Sequence, residues 1–263
     1  MASPPRVLIT RPGKRAQPLR QALEAVGVEA VSLEALRLEA LAESPETRQA
    51  WLDFDLFQRV VVISPFAAEC LADGLDRYWP QLPLGPSFYA VGAGTAKVLH
   101  ETLGVRVHMP PANAVDNSSE SLLRLPSLQR LDEQRVLLAA GEGGRTMLAD
   151  SLAQRGAKLT RLALYRRIPV EPGGPGAQYL TQGDFSALVV TSGELLEHLA
   201  GWCSAKALNQ PLIVSSQRLA TLAHTLGYLR PHVAQGATPV ALAAAVANAC
   251  NLDGADHDDL EKG

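Results

Sequence analysis

Two small-residue turns in this sequence have the composition of anion-binding sites. Gly92-Ala93-Gly94-Thr95 follows the apolar run 88–90, and Ser215-Ser216 follows the apolar run 211–213. Each stretch has the pattern of a buried strand, a turn and a helix that ends at glycine. Backbone N–H groups at the start of such a helix have no partner within it and bind anions. We therefore expect two α/β domains that face a shared cleft and bind a ligand with several negative charges.

The first turn also matches a dinucleotide-binding loop, but only in part. Gly92 and Gly94 fit the pattern GxGxxG, whereas Lys97 occupies the position of the third glycine. The acidic residue expected about 20 positions further on is replaced by Pro111-Ala112-Asn113. A nicotinamide-dependent enzyme is therefore disfavoured. A tight turn that merely requires small residues stays open, and Thr95 either supplies a hydroxyl to a carboxylate or caps the helix.

Serines begin two further predicted helices. Ser64-Pro65 has a good N-cap residue followed by proline at the first helical position, and Thr191-Ser192 offers the same kind of cap. Capping alone accounts for both serines, and they would also contact a ligand if their helix N-termini line a cleft. Neither serine lies in a G-x-S-x-G motif, so a serine nucleophile is not indicated.

Two arginines and a tyrosine complete the candidate polar residues. Arg11 and Arg145 each lie near the end of a predicted strand, where α/β sheets bind ligands, and arginine suits carboxylates. The glycine-rich stretch 141–145 is flexible enough to wrap around an anion. Tyr165 lies on a predicted bridge between the two halves of the chain, and a phenol is protonated at neutral pH and can donate a proton. Solvated arginines and a tyrosine that packs a hinge remain the alternatives.

The composition argues against several classes of protein. The chain has 263 residues, 47% of them apolar, and a net charge of −3, which argues against a broad nucleic-acid-binding surface. Its three cysteines, Cys70, Cys203 and Cys250, have no CxxC spacing, so we expect a reducing compartment and no metal site. We find neither the apolar core of a signal peptide nor an apolar run as long as a membrane span. We therefore expect a cytoplasmic protein that makes no contact with a membrane.

The elements around these residues form two matching halves. Each half contains three strand–helix units in the same order. The units occupy 6–33, 60–76 and 88–104 in the first half, and 135–162, 187–200 and 211–227 in the second. A repeat of this length indicates a duplicated domain rather than a solenoid. Alternating strands and helices predict parallel sheets with helices on both faces.

The order and spacing of these motifs resemble the uroporphyrinogen-III synthase family. The resemblance rests on four stretches, and it extends over residues 6 to about 250. The four stretches are 7–12, 91–96, the run from Gly156 to Tyr165, and 190–192. It implies an α/β fold of two similar three-layer domains with parallel sheets, joined by a two-stranded hinge.

The same resemblance implies how the chain is divided between the domains. The implied bounds are 1–36 with 170–250 for the first domain and 40–165 for the second. The units at 6–33 and 135–162 would then exchange places between the halves, which the repeat alone cannot show. The acid-rich stretch 251–263 has few apolar residues and predicts a disordered tail.

An activity and a set of site residues are also implied by the resemblance. The family converts hydroxymethylbilane, a linear tetrapyrrole rich in carboxylates, into cyclic uroporphyrinogen III with loss of water and inversion of ring D. The reaction needs no metal and no redox cofactor, and a monomer is our expectation. Tyr165 would donate a proton to the leaving hydroxyl. The residues that would bind carboxylates or the hydroxyl, or supply counter-charge, are Gly92, Thr95, Ser64, Ser192, Ser215, Ser216, Arg11 and Arg145.

A second hypothesis comes from a different class of protein. A non-catalytic two-domain sensor that closes on a carboxylated small molecule would have the same cleft and hinge. Tyr165 discriminates between the two hypotheses, because a sensor needs no proton donor on its hinge. In a sensor, Tyr165→Phe would leave ligand affinity and output intact.

Overall fold

The chain divides into two compact units in the computed structural model, which describes residues 4–11, 16–110, 119–143 and 146–251. One unit comprises Met1–Arg37 and Ile168–Gly263, so it is built from two separate parts of the chain. The other is the continuous segment Leu38–Arg167. The predicted disordered tail, apart from Asn251, lies outside the described residues. Within the described ranges, no helix has the length and apolar character needed to cross a membrane.

Strands and helices alternate along most of the chain. The β-strands of the described residues are β1 (Arg6–Ile9), β2 (Glu29–Ser32), β3 (Glu34–Ala40), β4 (Arg59–Val62), β5 (Ser87–Ala90), β6 (Val107–His108), β7 (Arg135–Gly141), β8 (Lys158–Gly173), β9 (Ala187–Val190), β10 (Pro211–Val214) and β11 (Arg230–Val233). The α-helices of the same residues are α1 (Gln17–Glu24), α2 (Pro45–Leu52), α3 (Pro65–Tyr78), α4 (Ala93–Leu103), α5 (Ser119–Leu122), α6 (Met147–Gln154), α7 (Gly176–Gln182), α8 (Gly193–Ala200), α9 (Ala205–Leu208), α10 (Gln217–Thr225) and α11 (Pro239–Ala249). Each predicted unit therefore contains a strand followed by a helix.

The discontinuous unit is organised around a five-stranded parallel sheet in the order β11-β10-β9-β1-β2. Successive side chains of its strands point to opposite faces. Leu8 and Leu188 belong to a hydrophobic core that includes residues of α8 and α10. Val7 and Val189 belong to a second core that includes residues of α1 and α11. Helices therefore cover both faces of the sheet, which gives three layers.

The continuous unit has the same architecture. Its six-stranded sheet has the order β3-β8-β7-β4-β5-β6, and the pairs from β8 to β6 are parallel. Val60 and Leu137 contribute to a core with residues of α3 and α4. Val61 and Leu138 contribute to a core with residues of α6. The predicted α/β class, with two similar three-layer units and parallel sheets, is confirmed.

The edge strand β3 departs from the parallel arrangement. The N–H of Leu41, directly after β3, donates to the carbonyl oxygen of Leu164 at 2.9 Å. Glu39 forms an ion pair with Arg166. Residue numbers therefore rise along β3 as they fall along β8, so the two strands are antiparallel. The chain passes from one unit to the other within β3 and again within β8, and the function of these strands as a hinge stays a prediction.

The first strand of each half pairs with the later strands of the other half. β1 lies beside β9, and β7 lies beside β4. The order β11-β10-β9-β1-β2 in one sheet thus corresponds to β6-β5-β4-β7-β8 in the other. The units at 6–33 and 135–162 have exchanged places, as the resemblance implies.

Candidate functional site

Several candidate residues of the continuous unit lie at one edge of its sheet. Because β4, β5 and β7 are parallel, their carboxyl ends meet at the same edge. Ser64 follows β4, Gly92 follows β5, and Gly141 is the last residue of β7. Tyr165 is paired with Gly141 on the neighbouring strand β8. The sheet topology therefore brings together residues that are far apart in the sequence.

A β-bulge directs Tyr165 into this edge. Ala140 is opposite Ala163, whereas the next residue, Gly141, is opposite Tyr165, so Leu164 is an extra residue on β8. In a regular strand, Leu164 and Tyr165 would point to opposite faces of the sheet. The bulge instead places both side chains in the same hydrophobic core. Tyr165 is consequently only 1% exposed.

The phenol of Tyr165 is held by hydrogen-bond donors. Ser64 Oγ donates to the phenol oxygen at 3.1 Å, and Arg167 Nη2 donates to it at 3.4 Å. The guanidinium carbon of Arg167 lies 5.6 Å from the ring centroid, within cation–π range. Phe66 packs edge-on against the ring with 5.2 Å between the ring centroids. Among the described residues, the phenol accepts two hydrogen bonds and donates none.

Gly141 has a structural role that the sequence analysis missed. A Cβ atom at this position would lie 2.6 Å from Cζ of Tyr165 and 2.9 Å from its hydroxyl oxygen. Only glycine leaves room for the ring. The sequence analysis assigned Gly141 to a flexible anion-binding loop, which is wrong because β7 continues to this residue. A prediction from glycine content alone cannot detect a strand residue that is small because a neighbour occupies its space.

The helices that begin at this edge differ in how they are capped. Ser64 is the N-cap of α3, and its Oγ accepts a hydrogen bond from the N–H of Ala67 at 3.1 Å, as predicted. Gly92 is the N-cap of α4 and offers no side chain to the N–H groups of the first turn. These groups are suited to an anion. Thr95 is the third residue of α4 and is 3% exposed, so the alternative that Thr95 caps this helix is wrong.

The other unit has a comparable edge of its own. Strands β1, β9 and β10 are parallel, and Ser192 and Ser216 occupy the N-cap positions of α8 and α10. Ser216 Oγ accepts a hydrogen bond from the N–H of Leu219 at 3.4 Å. Ser192 is at the predicted N-cap position, but its side chain makes no capping hydrogen bond. Ser215 immediately precedes Ser216 in the turn after β10.

The two predicted arginines have different outcomes. Arg11 follows β1, and its Nη2 donates to the carbonyl oxygen of Ala237 at 2.6 Å. Burial lowers the pKa of its guanidinium below the ordinary value for arginine. Arg145 lies outside the described residues. Arg167, which contacts Tyr165, is a further positive charge that the sequence analysis did not select, although it is only two residues from Tyr165.

One groove on the surface of the continuous unit lies away from these residues. A groove of about 430 Å³ in the continuous unit is lined by Phe57, just before β4, and by Arg135 at the start of β7. It is therefore at the amino edge of the sheet, where Arg135 is already paired with Asp53 at 3.3 Å. Among residues 4–11, 16–110, 119–143 and 146–251, no group of three or more histidine, cysteine or acidic side chains is arranged to hold a metal ion.

Comparison with known proteins identifies the family. A family model described as uroporphyrinogen-III synthase HemD matches residues 17–244. The uroporphyrinogen-III synthase of Escherichia coli K12 is 31% identical over 249 residues, which cover 90% of this chain and 97% of that protein. The enzyme of Salmonella typhimurium is 32% identical over 245 residues, with the same coverage of both chains. Each of these curated relatives is a synthase, so they do not support the sensor hypothesis.

Solved structures agree with the fold. The crystal structure of uroporphyrinogen-III synthetase from Helicobacter pylori has a TM-score of 0.58 at 12% identity, and the alignment covers 93% of this chain and 99% of that one. A mutant uroporphyrinogen III synthase from Thermus thermophilus has a TM-score of 0.52 at 19% identity, with 94% and 98% coverage. At these identities the likeness concerns the fold alone. With the family model and the bacterial relatives, we conclude that the chain belongs to the uroporphyrinogen-III synthase family.

Proposed function

We propose that this chain cyclises hydroxymethylbilane to uroporphyrinogen III, with loss of water and inversion of ring D. Membership of the family supports this assignment, and the match extends over 97% of the length of the Escherichia coli enzyme. The reaction requires that ring D attack through its substituted carbon rather than through the position that leads to the unflipped isomer. Such control depends on orientation and preorganised electrostatics rather than on a strong nucleophile.

Tyr165 is the proposed proton donor, and the geometry of its phenol is the observation that carries this assignment. Its oxygen accepts hydrogen bonds from Ser64 and Arg167, which leaves the phenol proton for the substrate. Transfer of that proton to the hydroxymethyl oxygen of ring A lets the C–O bond break with departure of water. The pyrrole nitrogen supplies electron density to the resulting cationic carbon. Tyr165 then carries a negative charge close to the Arg167 guanidinium.

Helix N-termini are the proposed binding sites for the substrate carboxylates. In the continuous unit, the uncapped N–H groups after Gly92 serve this purpose. In the discontinuous unit, Ser192 has a side chain that is not engaged in capping, and Ser215 and Ser216 begin α10. Thr95, Arg11 and Arg145 remain proposed contacts or counter-charges. No part of this scheme requires a metal or a redox cofactor.

An isomer assay tests the assignment directly. Purified protein and freshly prepared hydroxymethylbilane are mixed, and the oxidised products are separated by chromatography. We expect mainly the type III isomer, and formation of type I alone at the uncatalysed rate would overturn the assignment. Tyr165→Phe is expected to lower turnover by roughly 100-fold, as for loss of one acid catalyst. Unchanged turnover would exclude Tyr165 from the mechanism without affecting the family assignment.

The setting of the enzyme is also a proposal. We propose that it acts in the cytoplasm as a monomer on a small-molecule substrate. The three cysteines, Cys70, Cys203 and Cys250, are all free thiols, which suits a reducing compartment. Sedimentation of the purified protein at several concentrations would test the monomer, and a concentration-dependent increase in mass would contradict it.

A further inference from the structure

Ser64 and Arg167 direct their hydrogens at the same oxygen atom of Tyr165. Ser64 Oγ lies 3.1 Å from the phenol oxygen and donates to it, while its own lone pair accepts the N–H of Ala67 at 3.1 Å. A guanidinium has hydrogen-bond donors only, so Arg167 must donate to the phenol oxygen and cannot accept from it. With its oxygen occupied as an acceptor by both partners, the phenol has its own proton free to point elsewhere.

The ring that carries this hydroxyl is also fixed. Gly141 leaves no spare space on one side, since even a methyl group there would overlap the ring. Phe66 packs edge-on against another part of the ring at 5.2 Å. The position of the phenol oxygen is therefore set by the packing of the ring.

We propose that Ser64 and Arg167 are positioning residues that hold Tyr165 as an obligatory hydrogen-bond donor toward the substrate. The inference rests on the proposed function, in which Tyr165 protonates the leaving hydroxyl. It gives Ser64 a different role from the direct substrate contact that the sequence predicts. Arg167 has a second effect, because its positive charge stabilises the phenolate that remains after proton transfer.

The distances indicate the size of each effect. The Ser64 contact at 3.1 Å is slightly longer than the usual range of about 2.5–3.0 Å for a hydroxyl donor, and the Arg167 contact at 3.4 Å is longer than the usual range of about 2.7–3.2 Å for a nitrogen donor. Arg167 is also exposed to solvent, which weakens its interaction with the phenol. We expect Ser64→Ala and Arg167→Met each to lower kcat by roughly 3- to 10-fold, the value of one hydrogen bond. KM should change by less than about twofold, because neither side chain contacts the substrate in this proposal.

A double-mutant cycle separates positioning from substrate binding. The proteins compared are the wild type, Ser64→Ala, Tyr165→Phe and the double variant. If Ser64 acts through the phenol, Ser64→Ala lowers kcat in the wild type and has less than a twofold effect in the Tyr165→Phe background. The same loss in both backgrounds, or a rise in KM with unchanged kcat, would overturn the proposal. Ser64→Thr and Arg167→Lys, which keep a donor, should restore part of the lost kcat.

Matched controls account for the structural effects of these changes. Ser44 caps α2 through the N–H of Thr47 at 3.1 Å, the same kind of bond that Ser64 makes at α3, but its hydrogen bonds within the described part of the chain are with Thr47 and not with Tyr165. Ser44→Ala should therefore reproduce the loss of a helix cap and leave kcat within twofold. Arg166, next to Arg167, pairs with Glu39 instead of the phenol. Arg166→Met should likewise leave kcat within twofold, and an equal loss of kcat in either control would contradict the positioning role.

A measurement without substrate tests the geometry independently of activity. The resonance of the phenol carbon of Tyr165, labelled with carbon-13 and assigned by its absence in Tyr165→Phe, reports the hydrogen bonds of the hydroxyl. We expect it to move in Ser64→Ala and Arg167→Met and to stay in place in Ser44→Ala and Arg166→Met. An unchanged resonance in the first two variants would overturn the positioning role even if the wild type forms the type III isomer. Conversely, if no type III product forms but the resonance still shifts in Ser64→Ala and Arg167→Met, the proposed function is overturned and the hydrogen bonds to the phenol are not.

Discussion

Gly141→Ala should impair the enzyme through Tyr165, although alanine adds only one methyl group. The new Cβ would lie 2.6 Å from Cζ of Tyr165 and 2.9 Å from its oxygen, whereas carbon atoms in contact are separated by about 3.5 Å or more. The ring must therefore move by roughly 1 Å. Such a shift disturbs the 3.1 Å contact with Ser64. Misplacement of a catalytic group by about 1 Å costs on the order of 100-fold in turnover.

The cost in stability should be much less severe than the cost in turnover. Overpacking of a buried position destabilises by about 1–3 kcal/mol, which a domain with ordinary stability tolerates at 25 °C. Urea titration should therefore show a cooperative transition at a lower midpoint, and the assay should be run where the variant is folded. Gly85→Ala is the control, because its Cβ would approach only the carbonyl oxygen of Asp55, at 3.9 Å. We expect this control to have the turnover of the wild type.

The refuting result is simple to recognise. If Gly141→Ala forms the type III isomer with a kcat within twofold of the wild type, the position of the phenol does not limit the reaction. The double variant that combines Gly141→Ala with Tyr165→Phe provides a second test. If Gly141→Ala acts by displacing the hydroxyl, it should lower turnover less in the Tyr165→Phe background, which has no hydroxyl to displace, than in the wild type. Fully multiplicative losses would mean that Gly141 acts through something other than Tyr165.

Three further predictions concern the rest of the fold. Gly74→Ala should lower the free energy of unfolding by about 1–3 kcal/mol, because a Cβ there would lie 2.7 Å from the buried ring of Trp51; an unchanged urea midpoint would contradict the close approach. Ser216→Ala should cost about 1 kcal/mol and Ser192→Ala less than about half of that, because only Ser216 caps its helix with its side chain; equal costs in thermal unfolding would contradict this difference. Burial and two nearby carboxylates raise the pKa of Cys70 from 9.0 to about 11, so its alkylation by iodoacetamide, followed by mass spectrometry, should accelerate about tenfold per unit from pH 8 to pH 10. The folded state then holds the Cys70 proton more tightly than the unfolded chain, so the contribution of this proton to the free energy of unfolding is complete below pH 9 and is lost as the pH rises toward 11. An alkylation rate that is already constant at pH 9 would contradict the raised pKa.

The fold class was predictable because each element carries its own local signal. Buried parallel strands read as short apolar runs such as 60–62 and 211–214, and the helices that follow them begin at the N-cap serines Ser64 and Ser216. The short edge strand β11 was missed because Arg230-Pro231-His232-Val233 has no such run and is partly exposed. Local patterns also cannot determine which strands pair. The repeat makes β1 and β7 interchangeable, so their exchange between the sheets was implied only by the resemblance.

The candidate site was predictable to the extent that its residues have polar side chains in recognisable positions. Ser64 was identified from its place before Pro65, and Tyr165 from its place on the predicted bridge, while its role as a proton donor to the leaving hydroxyl was implied by the resemblance. Their contact was not foreseen, since it depends on the pairing of β4, β7 and β8 and on a bulge of one residue. Register is decided by contacts across strands, and it leaves little trace in a single strand.

The direction of a hydrogen bond separates Tyr165 from an ordinary buried tyrosine. A phenol that donated to a carbonyl or a carboxylate of its own protein would be well packed and chemically occupied. At Tyr165 the partners are a serine hydroxyl that already accepts a helix N–H and a guanidinium that cannot accept at all. Among the described residues, none accepts the phenol proton of Tyr165, so this proton is available for the substrate in the proposed mechanism. Because only glycine at position 141 leaves room for the ring, the absence of a side chain on β7 contributes to this arrangement together with the polar groups on β8 and α3.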